Sequence, residues 1–150
     1  MEKINWVLKS YSDITKDQLF DIYILRQEVF VVEQFCPYQD ADLQDKYSHH
    51  LMGYNGNFLV AYLRIVPPNL SSNTPMIGRV VVQKLYRGKG LGREVMKKAV
   101  MEVHKIFGKV DINISAQEYL ISFYESLQFK IIGESYLEDG IPHICMVHKS

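Results

Sequence analysis

The stretch from Met76 to Lys98, MIGRVVVQKLYRGKGLGREVMKK, constrains this chain more than any other. Ile77 to Val82 is a strand-like apolar run. It leads into Arg87-Gly88-Lys89-Gly90-Leu91-Gly92, and a helix-like segment follows directly. The first amides of a helix have no partner within it and point the same way, so they can bond phosphate oxygens. Glycine lets the backbone come close. Arg87, Lys89 and Arg93 bring positive charge, so a diphosphate suits the site. Spacing removes two nucleotide readings. A dinucleotide fingerprint needs glycine at relative positions one, three and six, and the sixth here is Arg93. A Walker loop needs Gly-Lys-Ser/Thr, which is absent. The plain alternative is a strand-to-helix turn with no ligand.

The rest of the chain is read around that stretch. Ile4 to Lys9 alternates as a strand. Thr15 is an N-cap with Gln18 as its capping-box partner, and a helix runs from Lys16 to about Val31, broken near Arg26. Val31 to Ala41 holds Pro37 and reads as loop. A strand begins at His50, turns at Asn55-Gly56 and returns as Phe58 to Val66. Three consecutive valines in Ile77 to Val82 suggest burial on both faces. A helix from Gly90 to Phe107 carries the apolar stripe Leu91, Val95, Met96, Ala99 and Val103, and Gly108 caps it. Val110, Ile112 and Ile114 mark a strand, Gln117 to Leu127 a shorter helix, Lys130 to Ser135 a strand, and Pro142 to His148 the last strand. Strands and helices alternate with hairpins at both ends. The expectation is one domain, residues 1–150, of mixed α and β with three layers at most.

Charge and composition bound the function. Seventeen basic residues offset seventeen acidic ones, which argues against a general nucleic-acid or membrane-surface binder. No apolar run reaches the ~18 residues of a transmembrane helix. The start, MEKINWVLKS, has no signal-peptide core, so a cytoplasmic protein is expected. Cys36 and Cys145 then read as free thiols outside any metal-ligand spacing. Asp40, Asp42 and Asp45 do not make a calcium loop, since the sixth and twelfth positions from Asp40 hold Asp45 and Leu51. No metal is expected.

The glycine-rich stretch resembles the acetyl-CoA site of the GNAT superfamily of N-acetyltransferases, whose loop reads Gln/Arg-x-x-Gly-x-Gly/Ala. The family's approach to that loop falls on Val80, Val82 and Arg87, with Lys84 where proline is usual. A second family motif falls on Gln117, Leu120, Phe123-Tyr124 and Gln128-Phe129. Gln replaces Asn at 117, Leu replaces Ala at 120 and Gln replaces Gly at 128. The likeness narrows to the ElaA-type subgroup at Val29 to Tyr38, at Asp40, Asp42 and Asp45, at His50-Leu51, at Ser115-Ala116-Gln117 and at Glu138 to His143. The resemblance implies a three-layer α+β fold. Its central sheet is twisted, mostly antiparallel, of about six to seven strands, flanked by helices and splayed between the fourth and fifth strands. It implies that the strand backbone at Val80, Val81 and Val82 pairs with the pantetheine arm. The loop Arg87, Gly88, Lys89, Gly90, Leu91, Gly92 and Arg93 holds the pyrophosphate, and Gln117 bonds the pantetheine.

The implied reaction is direct acetyl transfer from acetyl-CoA to a primary amine on a small molecule or peptide. The amine must lose a proton, the oxyanion needs a donor and the thiolate needs a proton. The resemblance supplies the oxyanion donor from the backbone near Val82 and the acid from Tyr124. Glu33, in a segment that the family places over the acceptor site, is the expected base, with His50, His143 or water as alternatives. Glu33 and the Asp40 to Asp45 cluster would also attract a cationic amine, unless that cluster is only a solvated loop. Another reading keeps the cofactor but not turnover: a CoA-binding module acting as sensor or interaction protein. A nucleic-acid interface built on Lys84, Arg87, Lys89, Arg93, Lys97 and Lys98 is disfavoured, since only Tyr86 interleaves with it. Apolar surface strands would allow a homodimer.

Overall fold

A computed structural model describes residues 3–150. Seven strands form one sheet in the order β1-β2-β3-β4-β5-β7-β6. They are β1 Asn5–Ser10, β2 His49–Asn55, β3 Phe58–Val66, β4 Met76–Val82, β5 Ile112–Gln117, β6 Phe129–Glu138 and β7 Ile141–His148. Every neighbouring pair is antiparallel except β4 and β5. Helix α1 (Lys16–Arg26) lies on one face, and α2 (Leu91–Phe107) with the short α3 (Ile121–Glu125) on the other.

Strand alternation builds those three layers. Met52, Tyr62 and Val81 pack against Ile22 and Leu25 of α1. Leu51 and Leu63, next to Met52 and Tyr62, belong to the larger core with Ile77 and with Val95, Met96, Ala99 and Val103 of α2. These α2 residues are fully buried, and each of the larger ones stabilises the fold by roughly 1.5–3 kcal/mol. Among the described residues no helix is long and apolar enough to cross a membrane.

Two irregularities shape the middle of the molecule. The parallel pair β4 and β5 keeps a single registered position, Met76 opposite Asn113, and then diverges. On its other side β4 carries a bulge. Tyr62 faces Val81 and Arg64 faces Gly78, so Leu63 is opposed by both Arg79 and Val80, and Arg79 has φ 52°. A bulge takes backbone groups out of the ladder and bends the strand.

Several boundaries differ from expectation. The capping box of Thr15 and Gln18 forms at 3.1 Å both ways. The helix does break after Arg26, but as a π-helical segment over Gln27–Glu33 instead of a loop from Val31. Gln34 N–H bonds Val29 C=O at 3.2 Å, a five-residue step that inserts an extra residue and re-aims the side chains beyond it. Gln117 is not helical. It ends β5 opposite His143 of β7, so the sheet ladder takes residues whose pattern reads as helix. Strand β6 runs to Glu138 because Asp139 and Gly140, with φ 50° and 76°, make the two-residue turn that matches strand twist. Of the three valines only Val81 is buried; Val80 and Val82 lie half-buried on the face that opens beside the splay.

Candidate active site

The divergence of β4 from β5 leaves two cavities that meet. The first, of 310 Å³, lies between the segment from Phe30 to Gln44, the bulged part of β4 and the β6–β7 hairpin. The second, of 510 Å³, follows the free edge of β4 at Val80, Val81 and Val82 to the glycine-rich loop and the start of α2. Phe30, Gln34, Val80, Gln117, Leu120 and Tyr124 line both. An extended ligand along β4 and a second ligand in the first cavity would therefore meet beside Tyr124.

The loop has the shape that an anion site needs. Gly88 and Gly90 stand at φ 78° and 83°, where a side chain is strained. Gly90 is the N-cap of α2, and the first helical bond runs from Glu94 N–H to Gly90 C=O at 3.0 Å. The N–H groups of Leu91, Gly92 and Arg93 precede it and have no acceptor within the helix. The cations are arranged less simply than expected. Arg87 donates to Val82 C=O at 2.9 Å and grips both oxygens of Glu33 at 2.7 and 3.1 Å. Arg93 lines the second cavity and donates to Ser126 Oγ at 2.8 Å. Lys89 is not among the lining residues; its ammonium stands over the Tyr86 ring at 5.5 Å.

Tyr124 is 6% exposed, and burial pushes its phenol up to about 12, with Tyr119 adding to the shift. It therefore holds its proton at neutral pH. Gln117 accepts from Gln34 Nε2 at 3.5 Å, which joins the π-helical segment to the end of β5.

The expected bases separate. Glu33 lies on the second cavity in the ion pair with Arg87, and it does not line the first. His50 is overturned as a base. It is fully buried and lines neither cavity, with Nε2–H donating to Asp45 C=O at 2.8 Å and Nδ1 accepting from Tyr62 O–H at 2.7 Å. Burial lowers its pKa, so it is a neutral core histidine. His143 does line the first cavity. Its Nδ1–H donates to Ile141 C=O at 2.7 Å, and Nε2 lies 3.3 Å from Glu138 Oε2, a carboxylate placed to stabilise a proton taken up at that nitrogen.

The aspartate cluster is neither an amine lure nor a solvated loop. Asp40 and Asp45 take Arg26 at 2.7 Å each, Asp42 and Asp45 take Arg64 at 2.6 and 2.8 Å, and Asp40 takes Arg79 at 2.8 Å. Burial pushes the Asp42 and Asp45 carboxyls up, but the arginine hydrogen bonds win and hold both below the ordinary range. The sequence reading missed the arginines of this network, as well as Gln34 and Glu138. Glu138 was visible only within the family likeness from Glu138 to His143, and no local pattern marks Arg26, Arg64 or Arg79.

Comparison with known proteins agrees with this geometry. The family model of the acetyltransferase (GNAT) domain matches residues 11–150. Protein ElaA of Escherichia coli is 37% identical over 148 residues, 97% of each chain. Its crystal structure superposes with a TM-score of 0.92, covering 98% of this chain and 100% of that one. The crystal structure of an acyl-CoA N-acyltransferase from Pseudomonas aeruginosa gives a TM-score of 0.94 at 39% identity, over 97% of this chain and 99% of that one. An aminoglycoside 6'-N-acetyltransferase complexed with coenzyme A shares the fold, with a TM-score of 0.70 at 15% identity over 94% and 95% of the two chains. The chain belongs to the GNAT acetyltransferase family, in its ElaA-like group, and is an N-acetyltransferase.

Proposed function

We propose that the enzyme moves an acetyl group from acetyl-CoA directly to the primary amine of a small molecule or peptide. The observation that carries this is the position of Tyr124, a neutral phenol at the one place where the two cavities meet. The second cavity takes the CoA: the free edge of β4 runs beside the pantetheine arm, and the N–H groups of the loop and of α2 face the pyrophosphate. The first cavity takes the amine. His143 Nε2, with Glu138 beside it, accepts the amine proton. The amine nitrogen attacks the thioester carbonyl, the carbon–sulfur bond breaks, and Tyr124 O–H protonates the sulfur. Backbone N–H at the bulge of β4, next to Val80, bonds the developing oxyanion. Glu33 neutralises Arg87 and so shapes the cofactor cavity instead of acting on the amine. The free thiols of Cys36 and Cys145 fit the reducing cytoplasm where we place the enzyme.

Calorimetry with CoA and a thiol-release assay over a panel of amines test the reading. CoA should bind, and at least one amine should raise thiol release. Tyr124→Phe should lower kcat by about 10²-fold and leave CoA affinity unchanged, the usual size of a lost general acid. No CoA binding at millimolar concentration would end the proposal. Binding without thiol release for any amine would leave the sensor reading in its place.

A further inference from the structure

We propose that Asp40 is a positioning residue for acetyl transfer: it holds Arg79, and through Arg79 the bulge of β4, in the shape that presents the Val80 backbone to the thioester. This rests on the transferase reading above. Arg79 is a non-glycine residue at φ 52° in the middle of a strand, a conformation that persists only where surroundings hold it. What holds it is on the far side of its own side chain. Arg79 Nε forms an ion pair with Asp40 Oδ1 at 2.8 Å without hydrogen-bond alignment, Nη2 donates to Asp40 C=O at 3.0 Å, and the same Nη2 reaches Asp42 Oδ2 only at 3.4 Å. The guanidinium also stands over the Tyr38 ring at 5.8 Å.

Asp40 is itself fixed. It is 5% exposed, takes Arg26 Nε at 2.7 Å and accepts from Tyr38 O–H at 2.8 Å. Arg26 is fully buried where α1 becomes the π-helical segment. A run of charge-assisted bonds therefore leads from the helix layer to the bulge. Asp40 lines neither cavity, so it touches no ligand in either. Arg79 lines the first cavity, and Val80, the residue after it, lines both. The bulge sits where β4 has already left β5, so β5 gives it no support. Side-chain anchoring by Asp40 replaces the missing ladder.

Two variants test this in the full chain, with wild type in parallel. Asp40→Asn keeps size but loses the charge that holds both arginines. Arg79→Gly accepts φ 52° without strain and keeps the Arg26–Asp40 pair, so it folds even where Asp40→Asn does not. In both, kcat should fall about 10- to 100-fold, the scale of a misplaced reacting group. KM for acetyl-CoA should stay within about twofold, because the glycine-rich loop is untouched. Backbone ¹⁵N relaxation without ligand should show the order parameter of Val80 falling from the rigid range, about 0.85, toward about 0.6, with Ile77 unchanged. Unchanged order at Val80 in either folded variant overturns the proposal, as does unchanged kcat beside an active wild type. An inactive wild type with lower order at Val80 in the variants sinks the transferase reading and leaves the anchor standing.

Discussion

Replacing Arg26 by methionine should weaken the fold more than any other single change outside the apolar core. The side chain is fully buried and donates through Nε to Asp40, through Nη1 to Asp45 and through Nη2 to the Asp40 carbonyl, at 2.7, 2.7 and 2.9 Å. Methionine fits the volume but supplies none of these bonds. Removing one partner of a buried ion pair costs about 3–5 kcal/mol, because the other charge stays behind. Here each carboxylate keeps a second arginine, Arg79 for Asp40 and Arg64 for Asp45. That places the loss near the lower end, about 3 kcal/mol. With a urea m-value of about 2 kcal/mol/M, the midpoint should fall by roughly 1.5 M at constant m. Lysine at this position offers one ammonium for two carboxylates, so Arg26→Lys should fall about half as far. Equilibrium urea unfolding followed by circular dichroism measures both. A Met variant within about 0.5 M of wild type would refute the reasoning, since the network would then be a surface-like array of pairs.

The same network sets the acid limb of stability. The Asp42 and Asp45 pKa values are depressed in the fold, so their contribution is complete above the unfolded value of about 3.9 and is lost as pH falls through the folded values below it. Urea midpoints should therefore drop from about pH 4 downward, and Asp45→Asn should flatten that limb. The loop glycines should divide by cause. Gly90→Ala forces a side chain into φ 83° with nothing to clash against, so it should lower stability by about 1 kcal/mol and weaken CoA binding by calorimetry. Gly92→Ala brings its Cβ only to 3.5 Å from the Phe123 ring, so thermal stability should hold and any loss should appear in CoA affinity alone.

What the amino-acid order revealed was mostly local. The stripe of α2, the Thr15 capping box and the Asn55-Gly56 hairpin are short-range patterns, and each forms. The loop from Arg87 to Gly92 was visible because glycine spacing before a helix is a local signal too. The π-helical segment over Gln27–Glu33 was not, since its pattern is nearly that of an α-helix and one inserted residue leaves no mark in periodicity. Pairings across the chain were hidden as well. Arg26 with Asp45, Arg64 with Asp42 and Arg87 with Glu33 are separated by 19, 22 and 54 residues. A carboxylate cluster reads as solvated until its arginines are found, and a buried histidine such as His50 reads like a reactive one until both nitrogens are seen engaged. Gln117 shows the reverse error, where ladder pairing with His143 outweighs a helical pattern.

The two cavities also differ in which parts of the chain wall them. The proposed cofactor side is made mainly by one contiguous run, β4 through the start of α2, closed by the π-helical segment from Val29 to Gln34 and by the stretch from Gln117 to Tyr124. The outer wall of the other side comes from separate pieces, the segment after α1 and the hairpin of β6 and β7. Insertions or exchanges in those pieces can re-cut the acceptor chamber while the run from Met76 onward stays as it is. On the proposed reading such a chain can trade one amine for another at its cavity wall, which makes the hairpin tip at Asp139-Gly140 and Cys36 opposite it, both outside the Asp40 network, the places to graft a new specificity.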